Sequence, residues 1–133
     1  MTTTKLYNKA EKSGICVERF SMPCNRSASV VYNGRCFVAM DNELTGAEER
    51  VCLAHELGHC ETMSFYNIYS PLDVRGKHER RADHWAISEL IPKSEYYKAL
   101  RKGYTQLNDL AEYFGVTPEF MEKAVELYSF KIA

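Results

Sequence analysis

The chain has 133 residues and a formal net charge of −1, with 45% apolar and 26% charged residues. That is the length of one ordinary domain, enough to bury a real core, in a composition normal for a globular protein. The balance excludes an overall field that recruits nucleic acid or an anionic membrane, and no apolar run approaches the ~20 residues a membrane span needs.

The opening stretch "MTTTKLYNKAEKSG" carries no apolar core of the kind a signal peptide needs, so the expected location is the cytoplasm. Residues 3–13 read as a first helix, with Leu6 and Ala10 on one side and Gly14 just past its end as a C-cap. "ICVERF" (15–20) reads as a short strand. In "SASVVYNGRCFVAMD" (27–41), Asn33-Gly34 is a two-residue turn of the type that needs positive φ at both positions. It joins β-branched and aromatic runs, which predicts two antiparallel strands. The strand at 35–40 can pair with an extended peptide by β-addition, although core packing explains its apolar content equally well. Cys16, Cys24, Cys36, Cys52 and Cys60 are odd in number and contain no C-x-x-C pair. Reduced, mostly buried thiols are therefore expected, rather than a disulfide framework or a four-thiolate zinc site.

Thr45 and Glu48 have the spacing of a capping box, which starts a helix running to about Thr62. Residues 63–75 carry Pro71 and no helical period, and read as a loop. A third helix is predicted over 77–90, stopping before Pro92. "KSEYYKALRKG" reads as a short helix closed by Gly103. Two more helices come after it, "TQLNDLAEYFG" and "TPEFMEKAVELYSF", the last with Thr117 as N-cap and Pro118 at its first position. The predicted architecture is α+β, a single domain over residues 1–133 with a short antiparallel β-sheet whose hairpin packs on the helix ending near Thr62 and on the helix over 77–90, and in which 105–130 forms a C-terminal helical pair.

The stretch "CLAHELGHCET" (52–62) carries the chemistry. On a helix, His55 and His59 lie one turn apart on one face, and both imidazoles can reach one metal ion. Glu56 is rotated to flank that ion, where a base acting on the attacking water is wanted. Gly58 leaves room for close backbone approach. A catalytic zinc needs a third protein ligand, and "KHERRADHWA" (77–86) offers Glu79. Asp83, four residues on, can accept a hydrogen bond from the non-metal nitrogen of His55 or His59. Ala82 and Ala86 are small enough for this helix to pack closely on the histidine helix. The competing reading is a solvated charged face. His78 adjoins Glu79 and can substitute as a ligand, while His84 lies about 140° round the helix from Glu79. Arg75, Lys77, Arg80 and Arg81 read as a solvated basic face. An oxyanion needs a donor besides the metal. Tyr66 and Tyr69 are candidates, and packing of the 63–75 loop explains both as well.

Taken together, His-Glu-Leu-Gly-His (55–59), Glu-x-x-Ala-Asp-x-Trp-Ala (79–86) and Leu-Ile-Pro (90–92) resemble the ImmA/IrrE family of metallopeptidases. The resemblance runs from about residue 14 to about residue 128 and includes the hairpin and the tail "LAEYFGVTPEFMEKAVELY". It implies a small zincin-like domain and a gluzincin-like, zinc-dependent peptidase with one zinc per chain, of a kind often encoded near or on mobile elements. It puts the metal on His55, His59 and Glu79 and the base on Glu56, and it supports Asp83 as the group that orients a ligand. Several members are implied to cleave helix-turn-helix repressors, so a repressor of a phage or mobile element is the expected partner. Cys60-Glu61-Thr62 departs from the family, in which an apolar run often comes after the histidine motif. The alternative is a DNA-binding or protein-interaction regulator with a non-catalytic metal site, since the tail scans like a helix-turn-helix. Charge argues against direct nucleic-acid binding: 105–130 holds Asp109, Glu112, Glu119, Glu122 and Glu126 against Lys123 alone.

Overall fold

A computed structural model describes residues 2–67 and 69–130. The element order is α1 (Thr3–Lys12), β1 (Cys16–Phe20), β2 (Ser27–Tyr32), β3 (Arg35–Asp41), α2 (Gly46–Thr62), α3 (Leu72–Leu90), α4 (Lys93–Arg101), α5 (Leu107–Phe114) and α6 (Pro118–Phe130).

The hairpin forms as its turn residues dictate. Asn33 and Gly34 take φ of 53° and 74°, and β2 pairs antiparallel with β3, Val30 opposite Phe37 and Ala28 opposite Ala39. The expected α+β class holds, with one pairing that the hairpin alone does not reveal. β1 runs parallel to β3 on its other side, giving the order β1-β3-β2 and a mixed rather than an antiparallel sheet. β3 is therefore central, with both edges used. The strand at 35–40 has no edge for an incoming peptide, and the free edge next to the hairpin belongs to β2.

Arg19 ties this sheet to α2. Its guanidinium donates to the carbonyls of Asp41, Asn42 and Leu44 at 3.2, 3.0 and 2.7 Å and pairs with Glu49. With a hydrogen bond to the Tyr7 hydroxyl at 3.1 Å, five contacts from a planar, always charged fork fix the entry to the helix. That entry differs from the expected capping box, since Thr45 makes no side-chain cap hydrogen bond. Gly46, the first residue of α2, takes φ +57° and turns the chain as it enters the helix, so the Thr45 hydroxyl is not set over the first amides. Glu48 pairs with Arg26 at 3.5 Å instead of reaching back.

α2 buries Leu53, Ala54, Leu57, Gly58, His59 and Cys60, because the sheet lies on one side of it and α3 on another. It ends at Met63, which takes φ 54°. α3 starts five residues before the expected position 77, directly after Pro71. Its first turn was illegible because Leu72 is exposed and shows no apolar period, although Pro71 before the helix and Asp73 in the first turn are both favourable there. The expected close packing of α2 on α3 is present: a Cβ added at Gly58 would stand 2.5 Å from the carbonyl oxygen of Ala82.

The cysteines correct the expectation of five reduced thiols. Cys36 on β3 and Cys60 on α2 form a disulfide across a sequence separation of 24. Cys16 and Cys52 are half-buried and free, and Cys24 is exposed. Spacing rules see local pairs, whereas this pair meets only because β3 lies against α2.

The C-terminal helices join the same core through Leu110, Ala111, Phe120, Met121 and Ala124. Gly115, at φ +69°, closes α5, and its carbonyl accepts a hydrogen bond from Arg50 of α2. Thr117 accepts from the Phe120 amide at 3.3 Å, so the expected N-cap is in place with Pro118 next to it. Among the described residues, no helix is long and apolar enough to cross a membrane.

Candidate metal centre

The close approach of Gly58 to Ala82 decides where the functional side chains fall. With the two backbones that near, the residues three before and one after Gly58 on α2 and Ala82 on α3 face each other across a narrow gap. His55 and His59 project from α2 and Glu79 from α3. His55 Nε2 lies 2.8 Å from Glu79 Oε2, His59 Nε2 lies 3.2 Å from Glu79 Oε1, and the two Nε2 atoms are 3.2 Å apart.

The other ring nitrogens are spoken for. His55 Nδ1 is 2.8 Å from Asp83 Oδ1, and His59 Nδ1 meets the carbonyl oxygen of Ser64. A carbonyl can only accept, so His59 carries its proton on Nδ1, and beside a carboxylate His55 does the same. In the neutral rings both Nε2 atoms are bare lone pairs. Two lone pairs and a carboxylate converging on one point repel unless a proton or a metal ion lies among them. Donors bound tetrahedrally at about 2.0–2.1 Å stand about 3.3 Å apart, close to the separations observed. Two imidazoles and a carboxylate suit zinc, and each imidazole is oriented by an outer partner as metal-binding histidines usually are. His55, His59 and Glu79 thus form a group able to hold a metal ion.

Electrostatics agree with the geometry. Burial pulls the His55 imidazole toward the neutral form, yet the hydrogen bond and charge of Asp83, aided by Glu56 and Glu79, outweigh it and raise its pKa. Burial pushes the Asp83 carboxyl up, but His55 and then Lys123 hold it below the usual carboxylate range. Lys123 reaches Asp83 Oδ2 from α6 at 3.2 Å. The single basic residue of the C-terminal pair is thus engaged with the centre's outer shell.

Glu56 is buried, and its Oε2 accepts a hydrogen bond from Ser27 Oγ of β2 at 2.7 Å. It lines the same cleft as His55, His59 and Glu79, a space of about 300 Å³ whose other walls include Ser27, Ala28, Ser29 and Tyr66. The Tyr66 hydroxyl donates to Glu79 Oε1 at 2.6 Å. That bond, with burial and the charge of Glu79, pushes its pKa up to about 12, so Tyr66 remains a proton donor at neutral pH. Its ring is stacked on His78 and covered by Arg75.

Of the sequence candidates, His55, Glu56, His59, Glu79, Asp83 and Tyr66 come together here. Tyr69 does not: the residue is 87% exposed. His78 serves as the shelf under Tyr66, and His84 is exposed and lines a separate cavity with Asp83 and Lys123, outside the metal cleft. Arg75 departs from the expected solvated basic face, since it covers Tyr66 and donates to the Ser70 carbonyl. Ser27, Ser64 and Lys123 were not anticipated. A serine in a strand, a backbone carbonyl after a helix and a lysine 40 residues from its partner leave no spacing signal.

Comparison with family models matches residues 10–126 to Peptidase_M78, the IrrE N-terminal-like domain. No curated protein matches the chain.

Proposed function

The chain belongs to the IrrE N-terminal-like family of metallopeptidases, and from that premise we propose that it is a zinc-dependent endopeptidase that cuts a helix-turn-helix repressor of a phage or mobile element. The observation that carries the peptidase reading is the convergence of two imidazole lone pairs and the Glu79 carboxylate beside the Glu56 carboxylate, in an open cleft. The ligands are His55, His59 and Glu79, with Asp83 fixing the His55 ring. When bound, zinc supplies a Lewis acid for the scissile carbonyl and lowers the pKa of its water to about 7.

The chain's own groups do the rest. Glu56 takes a proton from the attacking water and returns it to the leaving amine. Ser27 holds one oxygen of that carboxylate and leaves the other for the water. Tyr66, whose one hydroxyl proton here goes to Glu79, turns from that carboxylate during the reaction and supplies a hydrogen bond to the oxygen that gains charge. The substrate lies along β2, whose free edge borders the cleft and offers unpaired backbone groups to an extended chain. The work is done by one domain over residues 1–133, in which the C-terminal helical pair acts as core and brace.

The repressor half rests on family resemblance. Co-expression with a helix-turn-helix repressor encoded beside this chain should give discrete fragments with the wild type and intact repressor with Glu56→Gln. A mobility-shift assay of the protein alone should show no specific complex with operator DNA. A salt-resistant, sequence-specific shift would favour the regulator reading instead.

A further inference from the structure

We propose that the outer face of the sheet beside β2 is a recognition surface for the substrate chain, selecting apolar side chains two residues apart. This rests on the reading of the cleft as a peptidase site with substrate added along β2.

Strand alternation divides β2 into two sets. Ser27 and Ser29 turn to the α2 side and line the metal cleft. Ala28, Val30 and Tyr32 turn outward, with Val30 57% and Tyr32 67% exposed. The cross-strand neighbours extend the apolar surface, Phe37 behind Val30 and Ala39 behind Ala28. Phe20, half exposed at the end of β1, closes it. The result is a shallow groove of about 270 Å³ with an apolar floor of Ala28, Val30, Phe37 and Ala39, flanked on the β1 side, away from the β2 edge, by Phe20 and the exposed carboxylate Glu18.

Two observations give the groove its occupant. First, it is continuous with the cleft: Ala28 and Ser29 line both. Second, β2 is an edge strand, and edge strands are usually blunted by charge or proline. β2 reads SASVVY and has neither. A chain paired with that edge alternates its side chains as β2 does. Those on the inner side face the metal ligands and Glu56. Those on the outer side stand about 4.5–5.5 Å, Cβ to Cβ, from Ala28 and Val30 and complete the groove's open wall. The occupant is thus an extended segment of the substrate, with apolar residues at every second position.

The test is capture of a randomised peptide library on immobilised, zinc-loaded Glu56→Gln protein, with the bound peptides sequenced. Apolar residues two apart should be enriched about tenfold or more, the scale of a well-filled apolar subsite. Val30→Asp or Phe20→Ser, added to Glu56→Gln, should abolish the enrichment while keeping melting temperature and zinc content, since both residues are at least half exposed. Capture without the alternation, or an alternation that survives Val30→Asp, overturns the proposal. So does self-association in sedimentation that Val30→Asp removes, since a second copy then occupies the face. Cleavage of the same library by the wild type tests the peptidase reading separately. Enrichment without cleavage keeps the recognition surface and overturns the hydrolytic role of the cleft.

Discussion

Replacing Gly58 by alanine sets two effects of opposite sign against each other. In an isolated helix the change stabilises by about 1 kcal/mol, because glycine pays the larger backbone entropy. Here the new Cβ meets the Ala82 carbonyl oxygen at 2.5 Å and the Ala82 Cα and carbonyl carbon at 3.1 Å, all of them backbone atoms that cannot swing away. Restoring an ordinary contact of 3.4 Å moves α3 off α2 by close to an ångström. Overpacking of this kind costs typically ~1–3 kcal/mol, so the net effect is a loss of up to about 2 kcal/mol. For a domain of this size the melting temperature falls by about 4 °C per kcal/mol. The same displacement carries Glu79 and Asp83 away from His55, so zinc affinity should fall by about tenfold or more. Thermal unfolding of the metal-free protein and zinc competition against a chelator read the two consequences independently. A melting temperature raised by about 4 °C, as helix propensity alone requires, with unchanged zinc affinity would refute the close-packing argument.

Glu79→Ala should lose more zinc than His78→Ala, because Glu79 faces both imidazoles while His78 stacks under Tyr66; the opposite order in metal analysis would make His78 the third ligand. Zinc affinity should rise with pH: the His55 pKa is raised above 6.5, so the proton that competes with the metal is held past its usual range. In the metal-free protein the same pairing adds stability that is full below about pH 6.5 and is lost as pH rises through the folded-state value, which denaturant melts across that window will register. Thiol titration of the denatured, unreduced protein should find the three free cysteines, Cys16, Cys24 and Cys52, and five after reduction. Cutting the bond with Cys36→Ser should cost about 3 kcal/mol by loop entropy, and five thiols before reduction would contradict the Cys36–Cys60 link.

Much of this site was legible because its chemistry is written at helical spacing. His55, His59, Glu79 and Asp83 form two i,i+4 pairs, and Gly58 with Ala82 and Ala86 marked where two helices approach. The hairpin was equally plain from Asn33-Gly34. What escaped is what only tertiary structure brings together. The parallel pairing of β1 with β3 has no turn signature, so the hairpin's own sequence puts the free edge on the wrong strand. The disulfide joins a strand to a helix with no local pattern. Ser27 and Lys123 reach Glu56 and Asp83 from elements 29 and 40 residues distant. The first turn of α3 hid behind an exposed Leu72 and a proline that reads as a loop signal out of context. Tyr66 and Tyr69 could not be told apart by spacing, and only their positions separate a ring at the cleft wall from one in solvent.

Zinc content by native mass spectrometry, for the wild type and for the double variant His55→Ala/His59→Ala, tests the central claim most directly. Removing both imidazoles leaves the Glu79 carboxylate alone of the three donors, too few to hold a zinc ion whose sites use three or four protein ligands. One zinc per wild-type chain and none in the folded double variant is the predicted result. Near-equal zinc in both proteins would place the metal elsewhere and contradict the account.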